Sequence, residues 1–392
     1  MSGVSELSLT IDEHRHYLAD DVRVSSFREA ISEVVKPGHV VLDLGAGTGI
    51  LGLLACQAGA SRVYSIEEGG MIELARRLCH ANGLQDRVVF IKGLSTRVNL
   101  PEKVDVVLAD QIGFGGEFGL VDYFSDARER FLKPGGVMIP CRINMLVAPV
   151  HCPKIYGQID FWNNSSTGFD LRPGRSIAAN LTYRFEFNPE DLVGEPVIAG
   201  TLDLATASTA PLDMEASVRA MRARVLHGIA GWFSAQMSEH VVMSNSPLEP
   251  HPIKREHVFF PIDEPIGLAE GDLVKIRMYF MPTDMIVTWK VEILGASGKG
   301  DRSDPPVRRG SFTHSTWKGM LLSKEELQRT HPTFKPKLTP LGEARCSVLN
   351  LCDGQKPLSE IEQEIFQLYP TLFRSRKEAE AFVAEVVMRY SS

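Results

Sequence analysis

Seven consecutive residues carry the strongest chemical signal in the chain: Asp43-Leu44-Gly45-Ala46-Gly47-Thr48-Gly49. They close the apolar run Val40-Val41-Leu42 and lead into a helical pattern over Gly52–Gln57. A glycine-rich turn lets a ligand approach the backbone, and the helix N-terminus behind it favours negative charge. The spacing is G-x-G-x-G rather than G-x-G-x-x-G, which speaks against a dinucleotide. Glu67 ends the next apolar run, eighteen residues past Gly49. An acid there can accept hydrogen bonds from both ribose hydroxyls of a nucleoside. A second constellation is Asp110 and Glu117, which flank Gly113, Gly115 and Gly116. Such acids can orient an amine or guanidine through charge-assisted hydrogen bonds. His14, His16, His240 and His257 are candidate general bases for a hydroxyl acceptor.

These residues need a scaffold, and the pattern around them supplies one. Val40–Leu44, Val63–Ile66, Val88–Ile91, Val104–Leu108 and Val137–Ile139 are short apolar runs, with helical patterns such as Met71–Ala81 among them. Lys133-Pro134-Gly135-Gly136 reads as a turn before the last of these runs. Strands alternating with helices imply a doubly wound α/β unit whose parallel sheet is covered on both faces. Past about residue 145 the texture changes to β-rich runs, Leu181–Phe187, Val197–Leu204, Val258–Phe260, Val274–Tyr279 and Ile286–Ile293. They predict a mostly antiparallel β-barrel, interrupted by a helix at Met214–Arg222. Gly295–Gly310 has linker composition. Capping boxes at Ser359 and Ser375 then open two amphipathic helices, which with Ala344–Leu351 predict a small helical, winged-helix-like C-terminal domain.

Bulk composition narrows the partners. The 392 residues include 42 basic and 49 acidic side chains, a net charge of −7, which argues against a nucleic-acid surface. No apolar run reaches the roughly 18 residues of a membrane span, and Met1–Glu13 has neither a basic nor an apolar leader region. The six cysteines form no C-x2-C pair, so neither a zinc site nor a disulfide framework is expected; reduced thiols in a cytoplasmic protein are.

With strand, acid, glycines, helix, strand and acid in this order, the sequence resembles the class I S-adenosylmethionine-dependent methyltransferases. The likeness narrows at His14-x3-Leu18-x-Asp20-x2-Arg23-x3-Phe27, which resembles the helix preceding the nucleotide fold in the protein arginine methyltransferase family. The resemblance covers about residues 10–295. It implies S-adenosyl-L-methionine as cofactor, held by Arg23 at the methionine carboxylate, by Asp43, Gly45, Gly47 and Gly49, by Glu67 at the ribose, and by Ser95 after the adenine turn Ile91-Lys92-Gly93. Thr96 stands where the family often has an acid. Phe161-Trp162-Asn163 and Gly168-Phe169-Asp170 resemble its dimerisation arm, which implies a head-to-tail homodimer.

Departures from the family pattern bear on the acceptor. Of the two glutamates that grip a guanidinium in the family, the first appears as Asp110; the second position falls on Gly119, with Glu117 the nearest acid. The Thr-His-Trp loop of the family aligns with Pro252-Ile253-Lys254, and Val4–Leu9 lacks the N-terminal aromatic residues. His257 lies beside that altered loop. The sequence therefore predicts four segments: a cofactor-capping helical segment (1–37), a Rossmann-like domain (38–145), a β-barrel domain with the arm (146–295), and a linker with the helical C-terminal domain (296–392). The expected activity is methyl transfer to a nitrogen or oxygen of a small-molecule or peptide acceptor in natural-product metabolism, with Asp110, Glu117 and His257 as catalytic groups and no metal. The alternatives are an arginine N-methyltransferase acting on protein or free arginine, and a catalytically silent binding protein.

Overall fold

The computed structural model describes residues 11–114, 121–164, 167–208, 210–281, 286–295 and 307–391. The chain divides into two compact units, Met1–Met320 and Leu321–Ser392. The first opens with helices α1 (Ile11–Leu18) and α2 (Asp21–Val34), followed by β1 (Val40–Leu44), α3 (Ile50–Gln57), β2 (Arg62–Glu67), α4 (Met71–Ala81), β3 (Val88–Lys92), β4 (Val104–Ala109), α5 (Val121–Arg130) and β5 (Leu132–Ile139). The strands form one sheet in the order β3-β2-β1-β4-β5, and all four pairings are parallel. Every residue of β1 is buried, as a strand covered on both faces requires. The expected turn at Lys133–Gly136 lies inside β5, where pairing jumps from Val104↔Leu132 to Val106↔Val137 and the intervening residues bulge.

Two antiparallel sheets follow. One holds β6 (Arg142–Val150), β7 (Tyr183–Phe185), β8 (Val197–Asp203), β10 (Arg224–Gln236), β11 (Val242–Ser244) and β12 (His257–Leu268); the other holds β9 (Leu212–Arg219), β13 (Leu273–Met281), β14 (Ile286–Leu294) and β15 (Arg308–Ser315). The helix expected at Met214–Arg222 is instead β9 and its end. Met214 and Val218 are buried and their sequence neighbours exposed, a period of two that pairing with β13 selects over the helical reading. The described end of the linker segment, residues 308–310, starts β15 and pairs with β14. Between β6 and β7 lie α6 (Pro153–Asp160) and α7 (Pro173–Ala178), whose Ile155, Tyr156 and Ile159 pack on Trp232 and Phe259. The Tyr156 hydroxyl donates to the carbonyls of Ile262 (3.0 Å) and Asp263 (2.7 Å), tying α6 to β12.

Two contacts join the barrel to the residues that matter. The Phe114 ring, from the loop after β4, fills the space a side chain at Gly231 would take, and meets Phe260 and Phe280 edge-on at 5.7 and 6.0 Å. Asp20 caps α2 by accepting from the Arg23 amide, and its other oxygen accepts from the Lys254 amide of the barrel loop at 2.7 Å.

The second unit contains α8 (Lys324–Arg329), α9 (Pro340–Leu351), α10 (Leu358–Leu368) and α11 (Arg376–Tyr390), the last three around a core of Val348, Ile361, Ile365, Phe373, Phe382 and Val383. Ser375 caps α11 as expected. Ser359 caps nothing, because α10 starts one residue earlier and Pro357 takes the extended cap position. This unit has no strand among its described residues, so its likeness to a winged helix rests on helices alone.

Candidate active site

The C-terminal ends of β1, β2 and β4 meet at one edge of the parallel sheet, where ligands bind in open α/β folds. Gly45, Gly47 and Gly49 all have positive φ (65°, 52° and 76°), a backbone open to glycine at little cost. Space tells the same way: a Cβ on Gly47 would overlap the His14 ring, and one on Gly45 would overlap the Gln111 amide.

Carboxylates brace this turn from below. Asp43 is fully buried, and its Oδ2 accepts from the Gly52 amide of α3 at 3.0 Å. Burial above all pushes its pKa up to about 7; the Gly52 hydrogen bond opposes this and the Glu67 charge adds to it. Glu67 is half-buried and accepts from Gly47 (2.9 Å) with Oε2 and from Gly69 (2.7 Å) with Oε1. Each of its oxygens keeps a second lone pair for a hydroxyl donor.

Two clefts open along this edge and share Gly45 and Gln111. The first, about 280 Å³, is lined by His14, Tyr17 and Arg23 from the N-terminal helices, by Asp43 and the glycine turn, by Asp110, and by Arg255 from the barrel loop. The second, about 220 Å³, is lined by Glu67, Gly93, Leu94, Ser95 and Tyr123. Buried Arg23 is ion-paired with Asp110, and its guanidinium lies 4.1 Å from the Tyr17 ring centroid. Asp110 uses Oδ2 for that pair; its Oδ1 is buried and has no hydrogen-bond partner among the described residues. His14 is half-buried, and desolvation lowers its pKa against the pull of Glu67.

The structure thus gathers Arg23, Asp43, Gly45, Gly47, Asp110, Glu67 and Ser95 about one edge. Gly49 serves from behind, packed at the start of α3. Glu117 lies outside the described residues, as does Val4–Leu9. His257 is not brought to the clefts. It is 4% exposed beside Phe187 and Trp232, its Nδ1 accepts from the Phe187 amide (3.0 Å), and its Nε2 donates to the Asn245 carbonyl (2.6 Å). With both nitrogens engaged and burial lowering its pKa, this ring holds strands together and is no general base. His240 bonds Glu33 at the protein surface. Sequence reasoning passed over Tyr17, Gln111 and Arg255. Gln111 and Arg255 each sit next to a segment already singled out, but only the fold turns them inward.

The family model described as the arginine methyltransferase oligomerization subdomain matches residues 142–291, and that of ribosomal protein L11 methyltransferase (PrmA) matches residues 27–141. Protein arginine N-methyltransferase PRMT10 of Arabidopsis thaliana is 30% identical over 328 residues, 73% of this chain and 85% of the relative. The chain belongs to the protein arginine methyltransferase family. It is an S-adenosylmethionine-dependent methyltransferase. Protein arginine N-methyltransferase 6 of Danio rerio is 28% identical over 287 residues, 69% of this chain and 82% of that one. Among solved structures, Arabidopsis thaliana protein arginine methyltransferase 10 superposes with a TM-score of 0.67 at 26% identity, covering 78% of this chain and 98% of that chain. The Trypanosoma brucei PRMT1 enzyme–prozyme complex gives 0.66 at 20% identity, covering 77% and 97%, and shares the fold. These relatives carry arginine methyltransferase names, so the expectation of natural-product metabolism finds no support in them.

Proposed function

We propose that this methyltransferase is an arginine N-methyltransferase acting on protein or free arginine. One observation carries the reading: the Asp110 carboxylate lines the cleft with a buried oxygen that accepts no hydrogen bond from the described residues. A buried acceptor without a donor costs about 1–3 kcal/mol, and a substrate N–H relieves that cost. The first cleft and the second accommodate the halves of S-adenosylmethionine, with Arg23 toward its carboxylate, the glycine turn and Asp43 along its middle, and Glu67, with Ser95 beyond it, toward the nucleoside. The cofactor supplies a methyl group on a sulfonium, already activated for displacement. What remains for the chain is alignment and desolvation. Asp110 Oδ1 accepts a guanidinium N–H, which holds the planar group in one orientation and draws its positive charge toward the carboxylate. The opposite nitrogen would then face the methyl carbon in line with the carbon–sulfur bond that breaks, whose electron pair stays on sulfur, and would afterwards lose its proton to solvent.

The family names of the relatives favour this reading over a small-molecule acceptor. We infer also that the arm around Trp162–Asp170 docks on a second copy, supported by the oligomerization-subdomain match and by Phe161 and Phe169, 51% and 74% exposed. The described cysteines are all free thiols, which suits a cytoplasmic enzyme. No described helix is long and apolar enough to cross a membrane. The test is transfer of labelled methyl from the cofactor to arginine-bearing peptides and to free arginine. Transfer abolished by Asp110→Asn supports the reading, and transfer only to acceptors lacking a guanidine refutes it.

A further inference from the structure

Of the described residues, two line both clefts, Gly45 and Gln111, and only the second has a side chain. Gln111 follows Asp110 just past β4, so the strand that brings Asp110 to the sheet edge brings this carboxamide with it. The side chain lies flush on the glycine: a Cβ at Gly45 would overlap its Nε2, and its Oε1 stands farther off. The missing Cβ of Gly45 thus gives the carboxamide its place at the neck between the clefts. It is half-buried there, and its side chain makes no hydrogen bond among the described residues. A carboxamide offers two acceptor lone pairs and two N–H donors, and here none is spent on the described part of the chain.

The acids of this edge have partners already. Asp43 takes the Gly52 amide, Glu67 takes those of Gly47 and Gly69, and Asp110 pairs with Arg23. With the carboxylate end of S-adenosylmethionine toward Arg23 and its nucleoside toward Glu67, the part left for the neck is the sulfonium. We infer that Gln111 distinguishes the cofactor from its spent form. Its carboxamide oxygen accepts weak hydrogen bonds from the polarised C–H groups on the cationic sulfur. Methyl transfer breaks one carbon–sulfur bond and leaves the electron pair on sulfur, so the spent form is a neutral thioether. Against it the same oxygen meets no charge and one carbon fewer, and its hold weakens. The inference rests on the cofactor placement proposed above and holds for any acceptor.

The experiment is calorimetry on the full chain with no acceptor present. It reads the dissociation constants of S-adenosylmethionine, of S-adenosylhomocysteine, and of sinefungin, a second cationic probe that carries a carbon-borne amine in place of the methylated sulfur. The quantity compared is the S-adenosylhomocysteine constant divided by that of each cationic ligand. Gln111→Leu, similar in size and without polar atoms, should lower this ratio by about two- to five-fold against wild type, the worth of one weak hydrogen bond. Gln111→Glu sets a full negative charge at the same place and should raise the ratio above wild type. Thermal unfolding confirms that each variant is folded. Equal or reversed ratios across the three proteins overturn the proposal. So does weakening of all three ligands by one common factor in Gln111→Leu, which would make the residue a wall of the cleft and nothing more. A different failure is Glu67→Ala binding all three ligands as tightly as wild type. It removes the cofactor placement itself, and the inference drawn from it.

Discussion

Replacing Glu67 separates the bracing role seen in the structure from the cofactor role proposed for the same carboxylate. Its oxygens brace the glycine turn through the Gly47 and Gly69 amides at 2.9 and 2.7 Å, and it lines the cleft proposed above for the nucleoside. In Glu67→Ala both amides lose their acceptor. The site is half-buried, so water takes over part of that role, and the fold loses about 1 kcal/mol per amide at most. The ribose hydroxyls lose bonds to a charged group, worth about 1.5–3 kcal/mol, so the dissociation constant of S-adenosylhomocysteine should rise by roughly 12- to 150-fold. Glu67→Gln keeps the shape and one acceptor oxygen, but its NH2 must face one of the two amides. It should fall between wild type and alanine. Calorimetry on folded protein reads both values. Unchanged affinity in Glu67→Ala, with an unfolding midpoint near wild type, would refute the assignment of this acid to the ribose.

Three further outcomes follow from the same geometry. Asp43 has its pKa raised to about 7 in the fold, so the folded state holds a proton that the unfolded state has lost between about pH 4 and 7; stability should fall as pH rises through that window, and Asp43→Asn should flatten the dependence seen in thermal melts. His257 is held neutral by burial, so its contribution is present above its unfolded pKa and fades as pH falls below about 6.5; His257→Ala should cost about 2 kcal/mol in denaturant titrations, and the pH profile of kcat in this variant should keep the wild-type shape. The docking proposed for the arm predicts a dimer of the wild-type chain in sedimentation at micromolar concentration and a monomer when Phe161 and Phe169 are replaced with serine, whereas a wild-type monomer or an unaltered variant would exclude the arm as the interface.

Much of this site was legible because its signals are local. The turn after β1 needs glycine at positive φ, and the run before it must be apolar because both faces of the sheet are covered. The end of a strand is where Glu67 can act, whatever the rest of the chain does. The misses are tertiary. Met214 and Val218 lie four apart as well as on one strand face, and only the partner strand β13 decides between helix and strand. His257 looked available because its ligands, the Phe187 amide and the Asn245 carbonyl, belong to distant segments. Arg255 carries no motif at all; its place in the cleft wall depends on Asp20, remote in sequence, which holds the Lys254 amide of the same loop. The altered acidic loop points to a different acceptor, yet it retains a carboxylate, Asp110, with an oxygen that meets no donor among the described residues.

The central claim is that Asp110 receives a guanidinium, and fragment mass spectrometry of the methylated product tests it most directly. Full-length enzyme is incubated with cofactor and arginine-bearing acceptors, and the modified atom is located. The account predicts methyl on a guanidino nitrogen of arginine, and its loss in Asp110→Asn while S-adenosylhomocysteine still binds. Methyl on any other atom, or arginine methylation that persists at the wild-type level in Asp110→Asn, would contradict it.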